Sequence, residues 1–232
     1  MSAVPGSGSS CCDALSSQAM SKYLRVIYVL SFKAPPVLTS AVAARLGVAA
    51  PSVSAMLHRL GAAGLLAASG GGGIVLSEHG QRHARDVVRR HRLIETFLAQ
   101  AADMSWDEVH EEAEAIQHAV SDLLIDRIDA VLGHPRHDPH GDPIPPPSGN
   151  HVEDWPPALA DAAAGELFRV DRVSDEDSAA LRYLASLGVR PGVVLRVLEP
   201  EPFGGPLWIE IEGQRRALGT PLARLVHGVA LP

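Results

Sequence analysis

The sequence is poor in cysteine: it holds two, Cys11 and Cys12, adjacent in a Gly/Ser-rich stretch. Two neighbouring cysteines in such a context make no disulfide framework. No apolar run approaches the ~20 residues that a membrane-spanning helix needs, and the first twenty residues lack the basic start and apolar stretch of a secretory leader. The expectation is therefore a cytoplasmic chain with no membrane partner. Also missing are HExxH and GxSxG, the signatures of a zinc hydrolase and of a serine nucleophile elbow. What the chain does have is 46% hydrophobic residues and a mean hydropathy of +0.08 over 232 residues, enough for real cores and too much for wholesale disorder.

Charge is unevenly spread beneath the net −7. Residues 1–95 carry ten Lys/Arg against four Asp/Glu, whereas residues 96–232 carry ten against twenty-three. A basic first part suits a polyanion, and an acidic remainder suits cations.

Helical periodicity dominates up to residue 132. Tyr23, Ile27 and Leu30 recur at helix spacing until Pro35-Pro36 stops them. Thr39 to Leu46 reads as a short helix with Thr39 as N-cap and Gly47 as terminator. Pro51 to Leu60 reads as a third helix, with Pro in its first turn and an apolar stripe of Val53, Met56, Leu57 and Leu60. Two short strands around the tetraglycine Gly70–Gly73 then predict a hairpin wing. Longer helices are expected over Glu78 to Ala102 and Trp106 to Leu132. The proline-dense stretch 133–150 reads as loop or linker. Beyond it, Leu207, Ile209 and Ile211 alternate with Trp208, Glu210 and Glu212, which predicts short strands in a small barrel.

Helix, glycine turn, helix and hairpin form the winged helix-turn-helix order. Such a reading helix needs small or polar side chains in its first turns so that its backbone can approach base edges. Pro51, Ser52, Ser54 and Ala55 meet that need, Arg59 suits a phosphate, and Thr39 begins the preceding helix. Lys22, Arg25, Lys33 and Arg45 would add phosphate neutralisation.

A second constellation lies further on. His91 and Glu95 stand at i,i+4 on one helix face, and His110, Glu114 and His118 form a second ladder with Gln117 beside it. Imidazoles and carboxylates without cysteine point to a borderline or hard divalent metal, manganese or ferrous iron, rather than structural zinc. His134, His137 and His140 sit in the proline-rich stretch, where mobility argues against an ordered site.

The helix-turn-helix order, RRHRLIETFL, WDEVHEEAEAIQHAVSD and DPHGDPIP together resemble the diphtheria-toxin-repressor/manganese-transport-regulator family of metal-dependent repressors. VSDEDSAALRYLASLGVRPG and EPFGGPLWIEI resemble that family's SH3-like (FeoA-like) domain. The resemblance implies a mainly α chain with a small β component. Its parts would be a disordered tail (1–18), a winged helix-turn-helix (19–80), a helical metal-binding and dimerisation domain (81–145), a linker (146–162) and an SH3-like β-barrel (163–232). It also implies a homodimer on a palindromic double-stranded operator, repressing metal-uptake genes with manganese as effector, or iron as the second choice.

By position, His91, Glu95 and His110 match the family's ancillary ligands, and His91 can also serve a manganese pair. Glu114 and His118 match primary-site ligands. Asp175 is the expected ligand from the last domain, with Asp177 as fallback and helix capping as the competing role of both. Two positions depart from the family pattern. Lys22 stands where Asp, Glu or Met usually ligates, and a protonated amine cannot. Gln117 replaces a Glu, keeping an oxygen donor but losing its charge; Met20 is a poor substitute ligand for manganese. The departures leave open an alternative, a winged-helix regulator that works without metal. A metal-dependent hydrolase on the His/Glu cluster would leave the wing and helix-turn-helix unexplained.

Overall fold

The computed structural model describes residues 17–68, 72–149, 151–199, 201 and 205–232. The expected tail with Cys11 and Cys12, and the wing tip at Gly70 and Gly71, lie outside the described residues. The chain forms two compact units, residues 1–90 with 145–153, and residues 91–144 with 154–232. Residues 146–162, expected as one linker, are thus shared between the units.

In the first unit, helix α1 (Gln18–Lys33) buries Met20, Tyr23, Leu24, Ile27 and Tyr28 along one stripe. It stops at Ala34, whose N–H still reaches Leu30 O at 3.0 Å, because residues before proline disfavour the helical region. Helix α2 (Thr39–Leu46) ends on Gly47 at φ +64. Helix α3 (Ala50–Ala62) opens with Pro51 in its first turn and buries Val53, Met56 and Leu60. A bend of 110° separates α2 from α3, within the range of helix-turn-helix pairs. Among the described residues no single helix is long and apolar enough to cross a membrane.

Thr39 is not a cap. Leu38 holds the extended N-cap geometry, with no side-chain hydrogen bond. The carbonyl of Val37 accepts Ile74 N–H at 2.8 Å, so the chain is still strand-like when it reaches Leu38, and Thr39 is already helical. Among the described residues the wing is slighter than two strands: it is made of isolated bridges, Leu66 with Leu76 and Val37 with Ile74. Ala67 and Ala68 after Leu66 have no β-branched side chains to favour a longer ladder.

Ser77 starts helix α4 (Glu78–Ala101): its hydroxyl accepts Gly80 N–H at 3.0 Å and donates to Gly64 O at 2.7 Å. The long helix expected over 106–132 is two, α5 (Val109–Ile116) and α6 (Asp122–Val131). Ser121 breaks it, its side chain accepting Leu124 N–H at 3.3 Å as an N-cap, a local bond that competes with helix continuation. Leu93, Ile94, Ala113, Ile125, Ile128 and Ile144 form the core here.

The proline-rich stretch is anchored rather than loose. Arg89 donates to Pro145 O at 2.8 Å, Arg92 to Pro143 O at 2.6 Å, and Arg85 to Gly149 O. Proline-rich backbone has no ladder for its carbonyls, and arginines at i, i+4 and i+7 of α4 supply donors instead.

The last region carries strands β1 (Leu167–Val173), β2 (Val194–Val197), β3 (Leu207–Ile211), β4 (Gln214–Leu218) and β5 (Val226–Leu231), with helices α7 (Ser178–Ser186) and α8 (Thr220–Ala223). The sheet is antiparallel in the order β4-β3-β2-β1-β5. Inward residues of all five strands share one core with Leu159, Leu181 and Trp106, and the strands are short and alternating, as the small-barrel reading expects. A register shift in the β1–β5 pairing falls between Val170 and Arg172. It turns Arg172 inward beside Val173, both buried, as bulges re-aim side chains.

Two glycines give a paired test of this packing. A Cβ on Gly80 would lie 2.0 Å from Leu65 O, whereas one on Gly61, inside α3, meets nothing within 4 Å. Gly61→Ala should stabilise the chain by about 0.5–1 kcal/mol. Gly80→Ala should destabilise it by roughly 1–3 kcal/mol, as overpacking does. Urea denaturation followed by circular dichroism reads both; equal midpoints for the two variants would refute the close approach of α4 to the wing base.

Candidate metal centre and nucleic-acid interface

In the first unit, burial of Val53, Met56 and Leu60 turns Pro51, Ser52, Ser54, Ala55 and Arg59 to the exposed face of α3. Ser54 Oγ donates to Ala50 O at 3.2 Å. Thr39 is half-buried at the start of α2; Lys22 and Lys33 are exposed on α1, and Arg25 and Arg45 half-buried. Small side chains on the outer face of the second helix, with a cation one to two turns on, make a surface that a major groove can accept. Met20 is packed in the core of this unit.

The second unit concentrates ionisable groups. His91 and Glu95 are buried on α4, with His91 Nε2 and Glu95 Oε1 2.9 Å apart. His110 Nδ1 of α5 lies 2.9 Å from the same Glu95 oxygen and 2.9 Å from Asp175 Oδ2. The two imidazoles approach at 3.3 Å between His91 Nε2 and His110 Nδ1. On its other side His91 Nδ1 faces Gln117 Oε1 at 3.3 Å and Glu114 Oε2 at 3.9 Å. Gln117 is buried, and its Nε2 makes no hydrogen bond. His118 follows in the turn after α5, half-buried.

Asp175 and Asp177 separate by role. Asp177 Oδ1 accepts the N–H groups of Ala179 and Ala180 at 2.8 and 3.1 Å, the N-cap of α7. Asp175 turns to His110 instead.

The proline-rich stretch contributes a group that spacing did not suggest. His134 and His137 are exposed, but His140 is fully buried. Asp138 makes the loop: its Oδ1 accepts the N–H of both His140 and Asp142 at 2.9 Å. His140 O takes Val173 N–H at 2.9 Å, and Gly141, at φ +87, lies so close to β1 that a Cβ would be 2.0 Å from Asp171 O. His140 Nε2 pairs with Trp106 O at 2.6 Å. A carbonyl can only accept, so Nε2 carries the proton in that bond. The other ring nitrogen of His140, Nδ1, is buried and has no hydrogen-bond partner among the described residues. The legible signal was the string DPHGD, in which a turn-forming Asp and a glycine flank the histidine.

Potential ligand atoms thus form two groups, His91 with His110 and Glu114, and Glu95 with His140 and Asp175; within each they lie within 4.8 Å of one another. Carboxylates, imidazoles, an orphaned buried nitrogen and no thiolate fit a hard or borderline divalent cation. Imidazoles fixed by bonds at their second nitrogen, as His140 is, are the arrangement metal sites use.

The electrostatics agree. Burial works to raise the Glu95 carboxyl, but His91 and His110 outweigh it and hold Glu95 well below its usual range. Burial likewise opposes charge on His110, yet Asp175 and Glu95 overcome it and push its pKa up to about 10. In the cation-free chain the imidazolium of His110, lying between buried Glu95 and half-buried Asp175, helps make their charge tolerable together with His91. Its contribution to stability is fully present below its ordinary value of 6.5 and is lost as pH rises through about 10.

Substitution in the loop tests the second group. His140→Ala should weaken binding of one divalent cation by about 10–100-fold in calorimetric titration of the whole chain. His137→Ala should leave the isotherm unchanged. Identical isotherms for both variants would remove His140 from the centre.

Known protein families match the chain in three stretches. Residues 16–74 match the "Iron dependent repressor, N-terminal DNA binding domain", residues 77–146 the "metal binding and dimerisation domain" of the same repressors, and residues 158–229 the FeoA domain. The iron-dependent repressor IdeR of Mycobacterium tuberculosis is 37% identical over 123 residues, 53% of this chain and 54% of that protein. The chain therefore spans about half the length of the mycobacterial relatives it matches. The diphtheria toxin repressor of Corynebacterium efficiens is 27% identical over 88% of this chain and 92% of its own. Among solved structures, a manganese-dependent transcriptional repressor in complex with manganese is 41% identical, with a TM-score of 0.82 over 91% of this chain and all of that one. The manganese regulator SloR follows at 32% identity and a TM-score of 0.77, over 91% of this chain and 98% of its own. With its helix-turn-helix, its His/carboxylate centre and its FeoA-type sheet, the chain belongs to the diphtheria-toxin-repressor/manganese-transport-regulator family of repressors.

Proposed function

We propose that the chain is a metal-responsive, homodimeric transcriptional repressor that binds a palindromic operator and controls metal-uptake genes. The observation that carries this reading is the pair of imidazole–carboxylate groups converging on Glu95 and His91, in a chain whose other unit presents an exposed reading helix. His91, His110 and Glu114 would hold one cation, and Glu95, His140 and Asp175 a second. Gln117, whose Oε1 lies 3.3 Å from His91 Nδ1, stands at the turn after α5 and is followed in the chain by His118. Bound there, a divalent cation supplies the charge that otherwise comes from the His110 proton. Hard carboxylate donors favour manganese, with ferrous iron second. Relatives of both kinds exist, named for manganese and for iron. For the cation to control repression it must favour the DNA-competent state over the other.

Dimerisation is supported by an apolar face. Leu123, Leu124 and Val131 of α6 are exposed beside a hollow of about 280 Å³ lined by Ile94, Phe97, Ile116 and Val120. Solvent-exposed aliphatics around an apolar hollow are what a second copy covers, and the matched region is a dimerisation domain in the family.

A second reading keeps the DNA-binding scaffold without the switch. Exposed Lys22 and uncharged Gln117 favour it. Fluorescence anisotropy on the chain's own upstream DNA separates the two, with chelator, manganese, ferrous iron or zinc present. Binding that appears with manganese and falls at least tenfold in His91→Ala and His118→Ala is the expected result. Equal binding in chelator selects the metal-independent regulator. Arg59→Ala should weaken binding to all sequences alike and lower the salt slope by about 1; an unchanged slope removes Arg59 from the phosphate contacts.

A further inference from the structure

Two buried arginines and a half-buried carboxylate run parallel to the second ligand group. Asp142 forms ion pairs with Arg92 Nη2 of α4 at 3.2 Å and with Arg172 Nε of β1. Both arginines are almost fully buried. Arg92 also donates to Pro143 O at 2.6 Å, and its Nε lies 3.8 Å from Asp138 Oδ2. Arg172 donates to Asp154 O at 3.1 Å and stacks 3.4 Å over the Trp155 ring. The spacing along the chain is the telling feature. Arg92 precedes Glu95 by three residues, Asp142 follows His140 by two, and Arg172 precedes Asp175 by three. Each ligand of the second group thus stands two or three residues along the chain from a member of the clamp, on α4, in the His140 loop and just past β1.

We infer that Asp142 is a positioning residue: by bridging Arg92 and Arg172 it brings Glu95, His140 and Asp175 to a common point and so creates the second cation position. Asp142 itself belongs to neither ligand group. Its charge matters because two buried guanidinium groups meet there and Asp142 is the carboxylate they share; a neutral side chain would remove that shared charge. Its geometry is needed because the same residue closes the His140 loop, its N–H on Asp138 Oδ1 and its carbonyl accepting Asp138 N–H at 3.0 Å. A shift of about an ångström in such a scaffold costs a metal site far more than it costs a fold. Gly141, pressed against Asp171, fixes the loop to β1 on the other side.

The inference rests on the reading of two cation positions, and the experiment separates the two claims. Manganese stoichiometry and affinity are measured by equilibrium dialysis on the intact chain, for wild type, Asp142→Asn, Asp142→Glu, Arg92→Lys, His140→Ala and the double variant His140→Ala/Asp142→Asn. Circular dichroism in chelator checks the fold of each. The wild type should bind two equivalents. Asp142→Asn and Arg92→Lys should keep the first and bind the second at least tenfold more weakly, while Asp142→Glu recovers part of the loss. The double variant should be no weaker than His140→Ala, since Asp142 acts through the ligand it positions. A folded Asp142→Asn that binds both equivalents as tightly as wild type overturns the inference. So does an Asp142→Asn chain that is unfolded in chelator, because Asp142 is then a support of the fold at large. A wild type that binds no manganese fails the functional reading itself, whatever the variants do.

Discussion

The buried carboxylate of Glu95 is the constraint around which the second unit is arranged. Burying an ionised carboxylate is tolerable only with opposite charge and hydrogen bonds at hand. Glu95 is almost wholly enclosed, and it takes both from His91 on its own helix and His110 on the next. His110 in turn needs Asp175, from the chain beyond β1. Helix α5, the end of β1 and helix α4 are thereby held to one point by charge as well as by apolar packing.

That arrangement suits a switch because the same contacts serve two occupants. Without a cation, the imidazolium of His110 lies between Glu95 and Asp175 and offsets part of their charge. A dication placed among the same oxygens and nitrogens would offset that charge and engage His140, whose buried Nδ1 makes no hydrogen bond among the described residues. A buried polar atom left unpaired costs about 1–3 kcal/mol, and ligands recover that cost when they bind. The Arg92–Asp142–Arg172 clamp supplies the rigidity that such a site needs from its surroundings.

Much of the fold was legible. Helix α2 fell on Thr39–Leu46 as periodicity and Gly47 indicated, the apolar stripe of α3 pointed inward, and the alternation in β3 was reproduced as buried Leu207, Ile209 and Ile211. Local rules were weaker where several applied at once. Thr39 is a good cap by type, but the Val37–Ile74 bridge carried extended backbone one residue further. Ser121 ended a helix that apolar spacing alone would have continued. The i,i+4 pair His91/Glu95 was visible because helix geometry places such residues together whatever surrounds them. His140 was not, because proline density speaks of absent regular structure and says nothing of whether irregular backbone is held.

By itself, then, the sequence determined what depends on neighbours in the chain: the helices and strands, the exposed face of α3, the family, and the residue types offered to a cation. Tertiary structure decided what depends on distant residues meeting. It set Asp177 to capping and Asp175 to the cluster, and it drew His140 out of a proline-rich stretch into a buried position. It also joined Arg92, Asp142 and Arg172 into one clamp. The physical reason is the range of the forces. Propensity, capping and periodicity act over about four residues, whereas a buried charge is satisfied by whichever opposite charge the fold brings within a few ångströms, and no spacing along the chain records that choice.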